Sequence, residues 1–468
     1  MEGLIKKFSN NSVDAQMKKT EGEEQQGDFP DATIKYISQM LMEEEELETQ
    51  RCMFRDAMAL HATEKYFSAV LDGTVADNMR PPQDGFSWTC ALTNSFSSSS
   101  SDEPCFGLSL PDATGETLKK IRQHATPQGT GMERVAFHLA NALDARLNGR
   151  GTSIYTSPQG NVSAADILRA FQMYLTASPF KMVTSMMANR CIAKLVGGGA
   201  TRLHIIDFGI FYGFQWPSLI QALSTMPGGP PRLRITGIDL PQPGFRPAER
   251  VNATGLRLEK YCQRFNVPFE FNAIAKKWDT IELEELQLDR EDDAVIVNCL
   301  DRMGNVPDET VVPTSPRDIV LNLIKNINPD VHGVVNGAYN APYFSMRLRE
   351  TLFHFSSLFD ILEETVPRED NDRCLFEGTV LAREMMNVIA CEGTERVERP
   401  ETYRQWQLRS IRAGLQPLPL DQEIVKGVRE KVKSEYNKNF TMDEDGNWLL
   451  QGWKGKVLHA VSCWKPSN

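Results

Sequence analysis

Between residues 199 and 337 short apolar runs alternate with amphipathic stretches, and this alternation constrains the fold more than any other feature of the chain. The runs are RLHIIDF (202–208), LRITGID (233–239), FEFNAIA (269–275), DAVIVNCL (293–300) and DVHGVVNG (330–337). Between them lie QWPSLIQALST (215–225), RPAERVNATGLRLEKYCQRF (246–265) and SPRDIVLNLIKNI (315–327), whose apolar residues recur at helical spacing. Near-continuous apolar strands separated by helices predict a parallel sheet covered on both faces. The closing segment NWLLQGWKGKVLHAVSCWK (447–465) reads as two strands joined near Gly455, an antiparallel pair at the sheet edge.

The segment before the sheet has a different rhythm. From 115 to 198 the pattern is helical, through ERVAFHLANALDARLNG, AADILRAFQMYLTAS and FKMVTSMMANRCIAKLV, and predicts a helical cap. Residues 73–114 contain MRPPQDG and SFSSSSSDEP and read as a polar linker. Residues 31–72 read as a helical arm. Ile34, Ile37, Met40 and Leu41 share one helical face, Ala57, Leu60, Phe67 and Leu71 recur at helical spacing and suggest a second helix, and the acidic run Glu43 to Glu46 lies between them. A packed helical hairpin and a segment that folds on a partner both fit this pattern. Residues 1–30 are polar and acidic, and disorder is expected there.

Composition removes several function classes. The 41% hydrophobic content supports a sizeable core. A net charge of -11 repels nucleic acid, so binding there requires a local basic surface. The nine cysteines form no C-x-x-C pair, which argues against a disulfide framework or zinc module and fits a reducing compartment. No apolar run reaches membrane-spanning length, and MEGLIKKFSNNSVDAQ lacks an apolar leader core, so neither a membrane association nor secretion is expected. The pairs Lys6-Lys7 and Lys18-Lys19 are too small to read as a nuclear signal.

The stretch LHIIDFGIFYGFQW (203–216) carries the main chemical question. In a parallel sheet, ligands bind in the crevice at the carboxyl ends of the strands. Here a strand ends at Asp207, Gly209 and Gly213 follow, and the next strand ends at Asp239, an acid suited to ribose hydroxyls. This layout resembles the first loop of an S-adenosylmethionine-dependent methyltransferase, acid-x-Gly-x-Gly-x-Gly. The middle glycine is replaced by Phe211, followed by Tyr212. Glycine serves such loops because nothing projects between backbone and ligand, so the expected outcome is a turn plugged by aromatics, with no cofactor. If the loop did hold a cofactor, Asp207, Gly209, Gly213 and Asp239 would bind it. No G-x-S-x-G, H-E-x-x-H, Walker or kinase signature is present, and no catalytic or metal set stands out. His138, His204, His332 and His459 lie on apolar faces or strands, where structural roles are expected.

The strand ends also collect cations. Arg246 and Arg250 follow the second strand, Lys276 and Lys277 the third, and Arg302 the fourth. With Tyr212, Trp216 and Tyr339 they outline a candidate crevice for a phosphate backbone. The competing expectation pairs these cations with Asp207, Asp239, Asp301 and the acidic run 282–293.

Several motifs together resemble the plant GRAS family of transcriptional regulators, in particular its scarecrow-like members, over about residues 115–468. Leu203, His204, Ile205, Ile206 and Asp207 resemble the VHIID motif. Pro329, then FSMRLRETLFHFSSLFD with His354-Phe355, then Arg383-Glu384 are similar to the PFYRE region. Trp406 with Gly414, and Trp453 with Trp464, match the W-x7-G and W-x10-W of the SAW region. YISQMLMEE with CMF resembles the N-terminal arm of one scarecrow-like subgroup. The first leucine-rich stretch departs from the family pattern, since CFGLSLPDATGETLKKIRQH stands where a helix like L-L-x-x-C-A-x-A-V opens it. A dimer or partner contact made by that helix is put in doubt. The resemblance implies a helical cap over a methyltransferase-like, Rossmann-type α/β core spanning 199–468, without established catalysis. It also implies action in the nucleus through partner transcription factors or other nuclear proteins, in some members through DNA, and a homodimer as one form of partner.

Overall fold

In the computed structural model the alternation becomes, among the described residues, one nine-stranded sheet: β1 (Arg202–Phe208), β2 (Arg232–Asp239), β3 (Phe269–Ala275), β4 (Ala294–Leu300), β5 (Val331–Gly337), β6 (Leu415–Pro417), β7 (Phe440–Asp445), β8 (Trp448–Trp453) and β9 (Lys456–Pro466). The structure describes residues 29–51, 110–156, 162–242, 245–289, 293–300, 302–312, 314–337 and 343–467. The expected second helix of the arm (57–71) and nearly all of the polar linker lie outside the described residues, as do residues 1–28. A helix over Leu110–Gln123 begins inside the stretch expected to be linker.

The strand order is β3-β2-β1-β4-β5-β9-β8-β7, with β6 pairing β9. The first five strands run parallel, and β9 joins β5 antiparallel. The fold is therefore α/β, with a mostly parallel Rossmann-type sheet. The two closing strands are not its edge. β9 lies between β5 and β8, and β7 is the outer strand. Its sequence, FTMDED, alternates weakly and carries three acids; such charge suits an edge whose backbone is unpaired on one side, and it hides the strand from a hydrophobicity reading.

Each face of the sheet carries its own core. On one side Ile206, Phe208, Val297 and Ile324 pack with Trp406, Trp448 and Trp464. On the other, Leu449, Trp453 and Val461 pack with residues from the helices Gly131–Leu147, Ala164–Ala177, Phe180–Gly197, Phe344–Thr365 and Ala382–Ala390. The helical layer thus contains segments from between β5 and β6 as well as from before β1, so it extends beyond the cap expected at 115–198. Buried ion pairs join those segments. The guanidinium of Arg134 donates through Nε and a terminal nitrogen to both Glu377 oxygens at 2.9 Å, and Arg373 donates to Glu377 at 2.9 Å. Glu377 opens a π-helical turn, Glu377–Leu381, which interrupts the helical run between Asn371 and Ala390.

The chain divides into two compact units, residues 1–40 with 121–468, and residues 41–120. The N-terminal helix Phe29–Arg51 enters the larger unit through its first turns. Ala32, Thr33, Tyr36, Ile37 and Met40 are buried, a stripe rotated from the expected one, since Ile34 and Leu41 are only half-buried. The Thr33 hydroxyl donates to the Phe214 carbonyl at 3.0 Å and the Tyr36 hydroxyl to the Tyr212 carbonyl at 3.3 Å. The Tyr36 ring meets Tyr261 edge-on with centroids 5.6 Å apart. A separable arm over the whole of 31–72 is therefore not what the first ten residues form. Ile37→Ala in the full chain is expected to cost about 2–5 kcal/mol, the usual range for truncating a fully buried aliphatic side chain. Thermal unfolding checks this: a melting temperature equal to that of the parent would mean that the helix is not part of the cooperative core.

Candidate functional site

The sheet reverses its winding between β1 and β4, and this switch point is where open α/β sheets hold ligands. Asp207 near the end of β1 stands in register with Asn298 of β4. Their side chains bond directly, Asn298 Nδ2 donating to Asp207 Oδ1 at 2.8 Å, and Trp216 Nε1 donates to Asp207 Oδ2 at 2.9 Å. The amides continue inward. Asn298 Nδ2 donates to Gln215 at 3.1 Å, Gln215 Nε2 donates to Asn189 at 3.0 Å, and Asn189 donates to the Ser218 hydroxyl at 2.9 Å. Asp207 is thus consumed by a buried polar network. Burial pushes its pKa up to about 7, against the two hydrogen bonds that favour the ionised form. Asn298, Gln215 and Asn189 were not legible as site residues, because an isolated amide in an apolar strand or helix carries no periodic signal.

The loop after β1 is closed by the chain's own side chains. Gly209 has φ +92°, and a Cβ there would lie 2.6 Å from Arg302 Cγ. Gly213 has φ +71°, and a Cβ would lie 3.1 Å from Thr254 Cγ2. Both glycines allow a close approach, but what approaches is protein. Phe211 itself adopts φ +51°, a conformation rare for a bulky residue. It is held there by the Thr254 hydroxyl, which donates to its carbonyl at 2.7 Å. Its ring packs near Phe171 of the helical layer, and the guanidinium carbons of Arg250 and Arg302 stand 5.0 and 5.4 Å from its centroid. Asp239, the expected ribose acid, accepts from Arg250 at 3.0 and 2.8 Å and from the Leu240 backbone amide at 2.8 Å.

The expected crevice cations have mixed placements. Arg250 pairs with Asp239, Lys276 with Glu285, and the exposed Arg246 with Glu249 at 3.4 Å. Arg302 is half-buried between Gly209 and Phe211. Lys277 is exposed at the end of β3. Among the aromatic candidates Tyr212 is half-buried, whereas Trp216 is fully buried with its N–H turned to Asp207, so it presents no face to a base. Tyr339 and Asp301 lie outside the described residues.

The motif residues fall in separate places. Leu203, His204, Ile205 and Ile206 are fully buried in β1. His204 Nε2 shares a hydrogen bond with the Thr236 hydroxyl at 2.8 Å. Pro329 is buried just before β5, at the opposite end of the sheet from the crevice. Arg383 and Glu384 sit on the helix Ala382–Ala390, with the Arg383 guanidinium 4.9 Å from the Tyr155 ring centre. Trp406, Trp453 and Trp464 are buried, and Gly414 takes φ +81° at the end of the helix Tyr403–Arg412. Trp453 and Trp464 belong to the cores on opposite faces of the sheet, so the W-x10-W spacing does not make a pair.

The buried ionisable groups make stability depend on pH. Burial holds His138, His204 and His332 at pKa about 4 and His354 at about 3. A depressed histidine pKa contributes stability that is complete above the ordinary value of 6.5 and is lost as pH falls toward the folded value. Asp207, raised from 3.8 to about 7, acts the other way: its contribution is complete below 3.8 and is lost as pH rises to 7. At roughly 1.4 kcal/mol per pKa unit, four histidines outweigh one aspartate. Urea midpoints are expected to rise between pH 4.5 and 6.5, and more steeply in Asp207→Asn. A flat or falling profile would contradict the assignment.

Comparison with known proteins agrees with this fold. Residues 109–465 match the model of the GRAS domain family. The chain is 54% identical over 357 residues to Scarecrow-like protein 14 of Arabidopsis thaliana, covering 75% of this chain and 46% of that protein. It is also 54% identical over 360 residues to Scarecrow-like protein 9 of the same plant, covering 76% and 49%. The chain spans about half the length of these curated relatives. The crystal structure of SCL7 in Oryza sativa aligns with a TM-score of 0.64 at 27% identity, over 75% of this chain and 94% of that one. With a family match that runs from the helical layer through the last strand, this chain belongs to the GRAS domain family.

Proposed function

We propose that this chain is a nuclear transcriptional regulator that acts by binding, on a methyltransferase-like scaffold that performs no methyl transfer. One observation carries the non-catalytic part: the space around the glycine loop is taken by Phe211, Arg302 and Thr254, while Arg250 satisfies Asp239. Membership of a family of plant regulatory proteins supports the regulatory part. Its partners are transcription factors or other nuclear proteins, with a second copy of the chain among them, and DNA reaches it either through a partner or at the rim formed by Arg246, Arg250, Lys276, Lys277 and Arg302. Because Arg246, Arg250 and Lys276 already face carboxylates, tethering through a partner is the better supported route.

Calorimetric titration with S-adenosylmethionine tests the scaffold. No heat of binding is expected, and micromolar binding abolished by Asp239→Ala would overturn this reading in favour of the methyltransferase alternative. Chromatin occupancy with and without candidate partners tests the regulatory reading. Direct contact at the rim would give a log-affinity slope against log salt of about -0.9 per phosphate neutralised, flattened by changing Lys276 and Lys277 to Glu. Occupancy that disappears with the partner, and no shift of DNA by the chain alone at low salt, is the result that tethering requires.

A further inference from the structure

Two thiols from distant parts of the chain meet inside the larger unit. Cys191, on the helix Phe180–Gly197, and Cys463, on β9, have their sulfurs 3.8 Å apart, 272 residues apart in sequence. Both are free thiols. The distance is a van der Waals contact, with no room for an atom between the sulfurs. The two differ in access. Cys463 is buried, whereas Cys191 is half-buried. Lys194 stands one turn beyond Cys191 on the same helix and pairs with Asp421, which caps the helix Gln422–Glu435.

We propose that Cys191 and Cys463 form a reversible dithiol–disulfide couple, a modification site whose oxidant is a hydroperoxide. Cys191 is the thiol that reacts first. The hydrogen bond with Cys463 lowers its pKa, with Lys194 helping, against burial and Asp421; the same contact and burial raise that of Cys463. The Cys191 thiolate attacks one oxygen of hydrogen peroxide. The O–O bond breaks, and the departing hydroxide takes a proton to become water, leaving a sulfenic acid on Cys191. Cys463 then gives up its proton and its sulfur attacks the Cys191 sulfur. The S–O bond breaks, and hydroxide leaves as a second water. Two thiols and one peroxide thus give one disulfide and two waters, with two electrons passing from sulfur to oxygen. The sulfurs need to close from 3.8 Å to about 2.05 Å. A small thiol reverses the change by exchange. In a reducing compartment a disulfide of this kind is transient and regulatory rather than structural.

The consequence is mechanical. β9 lies between the parallel strands and the β8–β7 hairpin, and helix Phe180–Gly197 packs on the same face. A bond between them closes a loop of 272 residues, which restricts the unfolded chain and ties the C-terminal strands to the helical layer.

The experiment uses the full chain, reduced and then exposed to hydrogen peroxide, blocked with N-ethylmaleimide, digested and weighed. The expected product is a peptide pair linking Cys191 to Cys463, two hydrogens lighter than the reduced pair, restored by dithiothreitol, together with a melting temperature several degrees higher than that of the reduced protein. Cys191→Ser and Cys463→Ala should each abolish the link; Cys191→Ser, at the half-buried position, is the variant that leaves the core filled. Oxidation of Cys191 to sulfinic acid without a link, cross-linking of either thiol to another cysteine, or modification of the exposed Cys374 alone would overturn the proposal.

Discussion

Trp464→Ala is expected to fail by loss of folding, at a cost of about 3–5 kcal/mol. Trp464 is fully buried on β9 and meets Trp448 edge-on with ring centroids 6.0 Å apart. Its indole N–H donates to the Ser462 hydroxyl at 2.7 Å, so its one polar atom is satisfied within the same strand. The core it belongs to also holds residues of the helix Pro316–Ile327 and Trp406, whose ring lies 5.0 Å from the buried guanidinium of Arg317. Truncation leaves a cavity at the point where the antiparallel strands join β5. Urea unfolding of the purified variant, or its recovery only in aggregates, would show this. A Trp464→Ala protein that melts like the parent and has lost only a partner would make the residue an interface anchor instead.

The second large effect is expected at Glu377. Its carboxylate is buried with two guanidiniums, Arg134 and Arg373, themselves fully buried. Arg134 also reaches Glu363 at 2.6 Å and the Gly129 carbonyl at 2.8 Å. Glu377→Ala leaves two buried positive charges short of a partner, a change that typically costs about 3–5 kcal/mol. The measurement is chemical denaturation of the full chain. A cost below about 1 kcal/mol would mean that water reaches the two arginines once the carboxylate is gone. Because this cluster joins a helix from before β1 to helices between β5 and β6, the loss should appear as unfolding of the whole unit and not of one helix.

What the sequence determined by itself is local in origin. Period-2 and continuous apolar patterns depend on residues a few positions apart, so the five parallel strands and the helices between them were readable from spacing, whereas Trp216, expected at the crevice, is buried. The glycine loop was also partly legible, because Phe211 stands where a ligand-binding loop needs no side chain. The rest depended on contacts between distant residues. Arg302, ninety-three positions after Gly209, fills the glycine's open side; Arg250 takes Asp239; Thr33 and Tyr36 reach Phe214 and Tyr212 across more than 170 residues. None of these pairings has a spacing signature. The same holds for β7, polar because it is an edge, and for β9, which enters the sheet beside β5 and leaves that edge to β7. Patterning tells which face of an element is buried, while the identity of what buries it is set only when the elements pack. At the crevice that packing, not the glycine spacing, decided that the frame of a cofactor loop is filled by protein.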